Sequence, residues 1–534
     1  MIYPILIWTV ALILSIILYF RNKYSRLDYH GVRYLKPVPL LGNMKDVVTK
    51  KCHMSEQMQK LYDTFSEDRL VINYFVNSTI QIHDRELIKK IAVKDFEYFL
   101  DRRALVDEET DTFFGRSLFS LRGQEWKDMR STLSPAFTSS KMRSMVPFMV
   151  EVNEQMIRML KKKIKESETD YVDIECKDLT TRYANDVIAS CAFGVKLDSH
   201  TEVNNDFYTM GKEIATFGFR VILVILGYQA VPEVMKVETD NELQIFSSEL
   251  ATFFKKLVTK NMKEREMYKI LRPDMIHLLM EAKKGKLRHE EKTQVADTGY
   301  ATVEESEVGT KTVIREWSDD DIIAQAVVFF VAGFETVSST MSFLLYELAR
   351  HPEIQNRLLE EIKENDAKHG GKFDYSSIQN LKYLDMVISE VLRLWPPVIG
   401  LSRECLKDYN LGRAHDRAPR DYIIRKGESL TIPVWTIHRD PNYFPDPEKF
   451  DPERFSDKNK ASIKPFSYMP FGSGPRNCIG SRFALCEVKV MAYQMIQHLE
   501  VSPCEKTRIP PKLDPNTFTI LLQDGHWLRM KARN

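Results

Sequence analysis

The chain of 534 residues has no CxxC pair, and its seven cysteines (52, 176, 191, 405, 478, 486 and 504) are an odd number at scattered spacings. That pattern argues against a disulfide framework or a zinc site and fits a reducing compartment. A charge bias is also missing. Lys and Arg number 76 against 75 Asp and Glu, a net charge of +1, so there is no global electrostatic case for nucleic acid. No GxGxxG follows a strand-like run, so no dinucleotide or flavin domain of that kind is legible. No internal repeat is visible. Past the N-terminus no apolar run is long enough to span a bilayer, and Val221 to Gly227 falls well short. What is present is ordinary for a globular protein: 43% hydrophobic and 28% charged residues. The chain is long enough to bury a large core.

The N-terminus is the exception to the shortage of long apolar runs. Ile2 to Phe20 is nineteen residues without a charge, long enough to cross about 30 Å of hydrocarbon. Arg21, Lys23 and Arg26 follow, and such charges hold their side in the cytosol. A cleaved signal peptide would want a basic start and a small-residue cleavage site, neither of which is clear. Residues 1–20 are therefore expected to be a single-pass signal-anchor. Residues 21–43 read as a basic flank and proline-rich hinge, with Pro37 and Pro39 stiffening it. The catalytic domain is expected over 44–534.

Short β-like runs occur at Val71 to Tyr74, Ile80 to His83, Tyr422 to Ile424, Ser429 to Val434 and Phe518 to Leu522. Helical patterning dominates from about residue 85 to 400. Residues 283 to about 316 are charged and turn-rich and read as a mobile surface loop. Ser318-Asp319-Asp320-Asp321 predicts a helix start, with serine at the N-cap and an acidic first turn. His351-Pro352 predicts its stop near Arg350.

The chemistry concentrates in Phe471-Gly472-Ser473-Gly474-Pro475-Arg476-Asn477-Cys478-Ile479-Gly480. A cysteine thiolate is a soft, electron-rich ligand for iron, and thiolate-ligated haem is a setting for O–O cleavage. Glycines let the backbone pass close to a flat cofactor. Arg476 offers a fork of donors to a carboxylate such as a haem propionate. The run Phe483-Ala484-Leu485 predicts a helix just after the loop, placing Cys478 at its N-terminus. Within the long helix, Gly333-Phe334-Glu335-Thr336 sets an acid beside an alcohol in apolar surroundings, and such a pair can relay protons. Glu390 and Arg393 fall at i and i+3 on one helical face, as do Trp126 and Arg130 at i and i+4.

Together these motifs resemble the cytochrome P-450 superfamily over essentially the whole chain. The cysteine segment is similar to its FxxGxRxCxG signature without a mismatch, and Ala332 to Thr336 resembles its AGx[DE]T motif, with Val337 where a second hydroxyl is frequent. The stretches Trp126 to Thr138, Phe330 to Ser339 and Phe471 to Phe483 are closest to the microsomal group holding insect family 9 and family 6 enzymes and vertebrate family 3 enzymes. The resemblance implies a mostly α fold with a small β region and haem b ligated by Cys478. Phe471, Gly472 and Gly480 would shape the loop, and Arg476, Trp126, Arg130, Arg403 and Arg102 would meet the propionates. Thr336 and Glu335 would serve oxygen activation. Glu390, Arg393 and Arg454 would form a buried structural network. By position, Phe119, Ser120, Val328, Val331, Ala332, Val398, Ile399, Gly400 and Leu401 would line the substrate pocket.

The function so implied is insertion of one oxygen atom from O2 into a lipophilic small molecule at the endoplasmic reticulum membrane, with the catalytic domain cytosolic. Electrons would come from NADPH only indirectly, through a separate NADPH–cytochrome reductase, with a cytochrome b-type donor as a second source. Lys127, Lys141, Arg143 and Lys464 would offer a positive face to an acidic reductase. Three functions compete: oxidation of foreign compounds, oxidation of an endogenous lipid, hormone or pheromone, and a haem-thiolate sensor or redox carrier without oxygen insertion. Fold alone does not choose a substrate.

Overall fold

The computed structural model describes residues 24–38, 41–74, 78–106, 111–215, 245–285, 299–303, 306–311, 315–370 and 374–533, with scattered positions in 7–18, 221–228 and at 287. The expected membrane anchor lies largely outside the described residues. So does part of the 283–316 stretch.

The fold is mostly helical with small sheets. Its axis is the central helix Asp319–Arg350. At about 1.5 Å per residue this helix reaches about 48 Å, enough to cross the domain. Its start is the capping box anticipated from sequence. Asp321 N–H donates to Ser318 Oγ at 3.1 Å, and Ser318 N–H donates to Asp321 Oδ2 at 2.9 Å. Three acids in the first turn favour the positive end of the helix dipole. Among the described residues this is the one helix long and apolar enough to cross a membrane, but most of its apolar stretch is buried inside the protein. Helix Cys176–Ile188 packs along it. A Cβ at Gly333 would meet Ile188 Cδ1 at 3.1 Å, so this glycine permits close helix approach. Helix Ser481–His498 follows the cysteine loop and packs on helix Ser139–Glu166.

Strand β1 (Leu70–Tyr74), β2 (Ser78–Ile82), β4 (Leu401–Glu404) and β7 (Ser429–Ile432) form one sheet in the order β1-β2-β7-β4. Strands β3 (Tyr171–Glu175), β8 (Leu499–Pro503) and β9 (Trp527–Ala532) form a second in the order β3-β9-β8, and β5 (Tyr409–Arg413) pairs with β6 (Asp421–Ile424). Two expected strand ends are corrected. Val434 begins a short helix after Pro433, which has no N–H for the ladder. Phe518 to Leu522 is not a strand; Leu522 makes one bridge to Leu513, and the terminal strand is Trp527–Ala532.

The domain boundary also moves. Residues 24–30 are helical, and Leu27 and Val32 are buried in the core of the first sheet. Arg26 Nη1 donates to Glu428 Oε1 at 2.5 Å and Nη2 to the Ile423 carbonyl at 2.7 Å. Tyr34 bridges Ile72. The folded domain therefore begins near residue 24 rather than 44, because the basic flank is held by its own ion pair. Deleting residues 1–23 should leave thermal stability intact. Deleting 1–43 should cost about 3–6 kcal/mol from Leu27 and Val32 alone. Chemical denaturation of the two truncations checks this.

Candidate active site

The cysteine loop hangs from its own backbone. Gly472 N–H donates to Met469 O at 3.0 Å, and Cys478 N–H donates to Phe471 O at 2.8 Å. Gly472 and Gly474 hold φ of +77° and +72°. A Cβ at Gly474 would sit 1.9 Å from the Ala92 carbonyl oxygen, so glycine is required there. The helix starts at Ser481 with Gly480 as its N-cap. Cys478 thus lies two residues ahead of the N-cap rather than at it. Its side chain is exposed while neighbouring Arg476 and Asn477 are buried.

Beside it lies a knot of arginines. On helix Gly123–Leu133, Trp126 and Arg130 share the inner face as spacing predicted, both buried. Arg130 Nη1 donates to the Asn477 carbonyl at 2.8 Å and Nη2 to Asn477 Oδ1 at 2.7 Å. The Arg476 guanidinium stacks 4.0 Å above the Trp126 ring, and its Nε donates to the Leu100 carbonyl at 2.9 Å. Arg476 Nη2 reaches Asp101 Oδ1 at 3.3 Å and the Leu121 carbonyl at 2.9 Å. Arg102 Nη2 donates to the Arg476 carbonyl at 3.4 Å. Arg403, on β4, is 1% exposed. Burial, together with neighbouring guanidiniums, pushes Arg102, Arg403 and Arg476 below the ordinary arginine range.

This knot fits the carboxylates of a haem. Arg476 Nη1 and Arg403 Nε are buried without a hydrogen-bond partner, and such groups cost free energy until an acceptor arrives. Arginine stays charged in proteins, so relief comes from anions rather than deprotonation. Asp101 is the carboxylate paired with Arg476, leaving an excess of positive charge for two propionates. An exposed thiol beside them supplies the soft ligand.

The central helix shows two faces. Phe330 and Phe334 are 0% and 1% exposed. Ala332 is exposed, and Val328, Val331 and Thr336 are half-buried. The spacing 328, 332, 336 keeps these on one side. Phe329, on the same side, packs 5.2 Å from Phe137, whose ring lies 3.7 Å from a Cβ placed on Gly480. That side therefore looks toward the cysteine loop. Thr336 Oγ1 donates to the Ala332 carbonyl at 2.6 Å. Glu335 is committed elsewhere: Lys177 Nζ is 2.9 Å from its Oε2, and Ser339 Oγ donates to Oε1 at 3.2 Å.

Among the other expected pocket residues, Phe119 and Val398 are exposed, at 39% and 43%. Arg102 covers the Phe119 ring at 4.6 Å, which puts Phe119 beside the knot. Ser120 Oγ is buried without a partner. Ile399 and Leu401 are half-buried, and Leu401 Cδ1 would lie 3.6 Å from a Cβ on Gly472. Gly400 is corrected: its Cβ direction meets Thr431 Cγ2 at 2.9 Å and Met58 Cε at 3.2 Å, so it faces packed side chains. Gly400→Phe should therefore destabilise, whereas Ala332→Phe should redirect oxidation without loss of stability. Thermal melts and product profiles of the two variants check this.

Glu390, Arg393 and Arg454 do converge. Arg393 binds Glu390 in a fork at 2.7 and 2.8 Å, with both side chains fully buried. Arg454 Nε adds a contact to Glu390 Oε1 at 3.3 Å. The expected basic face is partly spent: Lys127 Nζ is 2.8 Å from both Glu97 carboxylate oxygens, and Arg143 and Lys464 lie over the rings of Tyr375 and Tyr443. Residues that sequence reasoning missed are Asp101, Asn477, Lys177 and His438. Their partners are distant in the chain, as with Lys177 and Glu335, 158 positions apart, so no local pattern marks them. None of the seven cysteines is in a disulfide, and the described residues hold no cluster of three metal-ligating side chains.

The cytochrome P450 family model matches residues 32–527. The chain is 42% identical to cytochrome P450 9e2 of Blattella germanica, over 99% of this chain and 98% of the relative. It is 38% identical to probable cytochrome P450 9f2 of Drosophila melanogaster, over 97% of each. It is 34% identical to cytochrome P450 6j1 of Blattella germanica, over 97% of this chain and 95% of the relative. With a thiol beside a buried cationic knot and an open helix face above it, the chain belongs to the cytochrome P450 family and is a monooxygenase of the oxidoreductase class.

Proposed function

We propose that the chain oxidises lipophilic small molecules, foreign compounds foremost, while attached to the endoplasmic reticulum membrane through residues 1–20, with electrons relayed from NADPH by a separate reductase. The observation that carries the substrate class is the apolar character of the open side near the knot: Val328, Ala332, Phe119 and Val398 present carbon surface where most of the domain buries it. Such surface binds apolar ligands by removing them from water. An endogenous lipid, hormone or pheromone is the second reading, and the same apolar surface accommodates it.

The residues divide the work. Haem, when bound, supplies O2 activation, so that one oxygen atom enters substrate and the other leaves as water, at the expense of two electrons and two protons. Cys478 would hold its iron, and Arg102, Arg130, Arg403 and Arg476 would orient it through its carboxylates. The apolar side chains exclude water from the reacting centre. Thr336 Oγ1 gives its hydrogen back to Ala332 O and keeps lone pairs to accept a second bond. Glu335 holds a carboxylate one residue away, and Lys177 fixes it. In this reading the pair conducts protons from Lys177's surroundings toward the open side.

Thr336→Ala should retain cofactor and substrate binding but divert reducing equivalents to peroxide. Product formed per NADPH consumed measures this, and an unchanged ratio removes Thr336 from proton delivery. A panel of lipophilic compounds with reductase, read by mass spectrometry, tests the function itself. Failure to oxidise any member would count against the monooxygenase reading of this chain's substrate class.

A further inference from the structure

We infer that Asn477 is a positioning residue for the cysteine ligand: together with Arg130 it fixes the direction in which Cys478 presents its sulfur. This rests on the reading above that Cys478 holds the haem iron. The signature FxxGxRxCxG constrains residues 471, 474, 476, 478 and 480 and leaves 477 open. Of the open positions that carry a side chain, 473, 475, 477 and 479, Asn477 alone is buried.

A buried amide needs partners for its polar atoms, and here the partner is charged. Arg130 grips Asn477 twice, with Nη1 on its backbone carbonyl at 2.8 Å and Nη2 on its side-chain Oδ1 at 2.7 Å. Both residues are buried. Charge-assisted bonds of this length are the strong kind, and a two-toothed grip also fixes orientation. Arg130 sits in the last turn of helix Gly123–Leu133. The grip therefore ties the loop to a regular element 347 positions away in the chain.

The effect reaches the sulfur through the backbone. A peptide unit is planar, so holding its oxygen and its N–H holds the plane. The unit joining Asn477 to Cys478 is held at both ends, its oxygen by Arg130 and its N–H by Phe471 O at 2.8 Å. The unit before it is held too, its N–H by Gly474 O at 3.0 Å and its oxygen, more loosely, by Arg102 Nη2 at 3.4 Å. With these successive planes set, the N–Cα bond of Cys478 leaves the loop in a fixed direction, and the sulfur follows it. Every residue type would bring the backbone carbonyl. Only asparagine, or aspartate in its place, also puts an acceptor where Oδ1 stands. Without that acceptor, Nη2 loses its bond in the interior. The guanidinium then turns to seek another partner and draws Nη1 off the carbonyl.

The test compares the haem-loaded full chain with Asn477→Leu, which keeps the size of the side chain and removes the acceptor, and with Asn477→Asp, which keeps both. The fraction of ferrous–CO complex with the red-shifted thiolate band is followed as it decays at fixed temperature, with haem content and thermal melts read alongside. Asn477→Leu should speed the decay about tenfold, with haem content near that of the unaltered protein. Asn477→Asp should decay at close to the unaltered rate. If Asn477→Leu does not take up haem, Asn477→Ala, which adds no bulk, is read in its place. An unchanged decay in the variant lacking the acceptor overturns the inference, as does equally fast decay in Asn477→Asp. Loss of haem uptake in Asn477→Leu and Asn477→Ala alike makes Asn477 a residue of the fold and also overturns it. If the unaltered protein shows no thiolate band, or Cys478→Ala retains it, the ligand assignment falls and takes the inference with it. A normal band in the unaltered protein with an indifferent Asn477→Leu overturns the positioning role alone.

Discussion

Glu390→Ala is expected to abolish stable folding around the cofactor. Glu390 and Arg393 are both fully buried, and the carboxylate accepts from Arg393, Arg454 and the Asp451 backbone. Removing it leaves the Arg393 charge uncompensated in the interior, at a cost of about 3–5 kcal/mol. The damage should not stay local. Arg393 Nη1 donates to the His438 carbonyl at 2.9 Å. The His438 ring accepts from Met469 N–H at Nε2, 2.8 Å, and so presents its other nitrogen, as N–H, to the Arg393 carbonyl at 3.2 Å. Burial, with Arg393 nearby, pushes this imidazole down to about 3, so it stays neutral and keeps this tautomer at physiological pH. Met469 in turn anchors Gly472 at the start of the cysteine loop. Haem content and urea denaturation of Glu390→Ala report the loss. An exposed pair makes the control: Arg357→Ala breaks a contact to Glu453 whose side chains are 54% and 44% exposed, and should cost no more than about 1 kcal/mol. Equal stability of the two variants would refute the network's role.

Cys478→Ala is expected to remove the red-shifted absorption that a thiolate-ligated ferrous haem shows with CO. Cys486 is the rival in sequence, eight positions on. It is buried within helix Ser481–His498 and accepts from Gln379 Nε2 at 3.5 Å. Cys486→Ala should therefore keep the band and lose only packing. Survival of the band in Cys478→Ala would refute the ligand assignment. The arginine knot should feel the same change, since the Cys478 thiolate is one of the charges that favours the Arg102 guanidinium.

The cysteine loop was readable from sequence because its determinants are contiguous. Two glycines with positive φ, an arginine and a thiol lie within ten residues. The central helix was readable for the same reason: its capping box spans Ser318 to Asp321 and its stop is the dipeptide His351-Pro352. Helical periodicity correctly put Trp126 and Arg130 on one face, and Glu390 with Arg393. What each face meets was not in that periodicity. Arg130 finds Asn477 across 347 positions, and Arg26 finds Glu428 across 402. Gly400 looked like a pocket residue by its place after Arg393, yet its direction was decided by Thr431 and Met58. The stretch from 283 to about 316 looked mobile because few of its residues are large and apolar, but Tyr300 within it packs against Phe455 and Tyr468, more than 150 positions away. Local propensity and spacing act over a turn or two of chain, and they determined the elements and the chemistry each carries. Which side chains meet, and so which charges cancel and which surfaces stay open, depends on contacts between distant segments, and only the packed tertiary structure decided it.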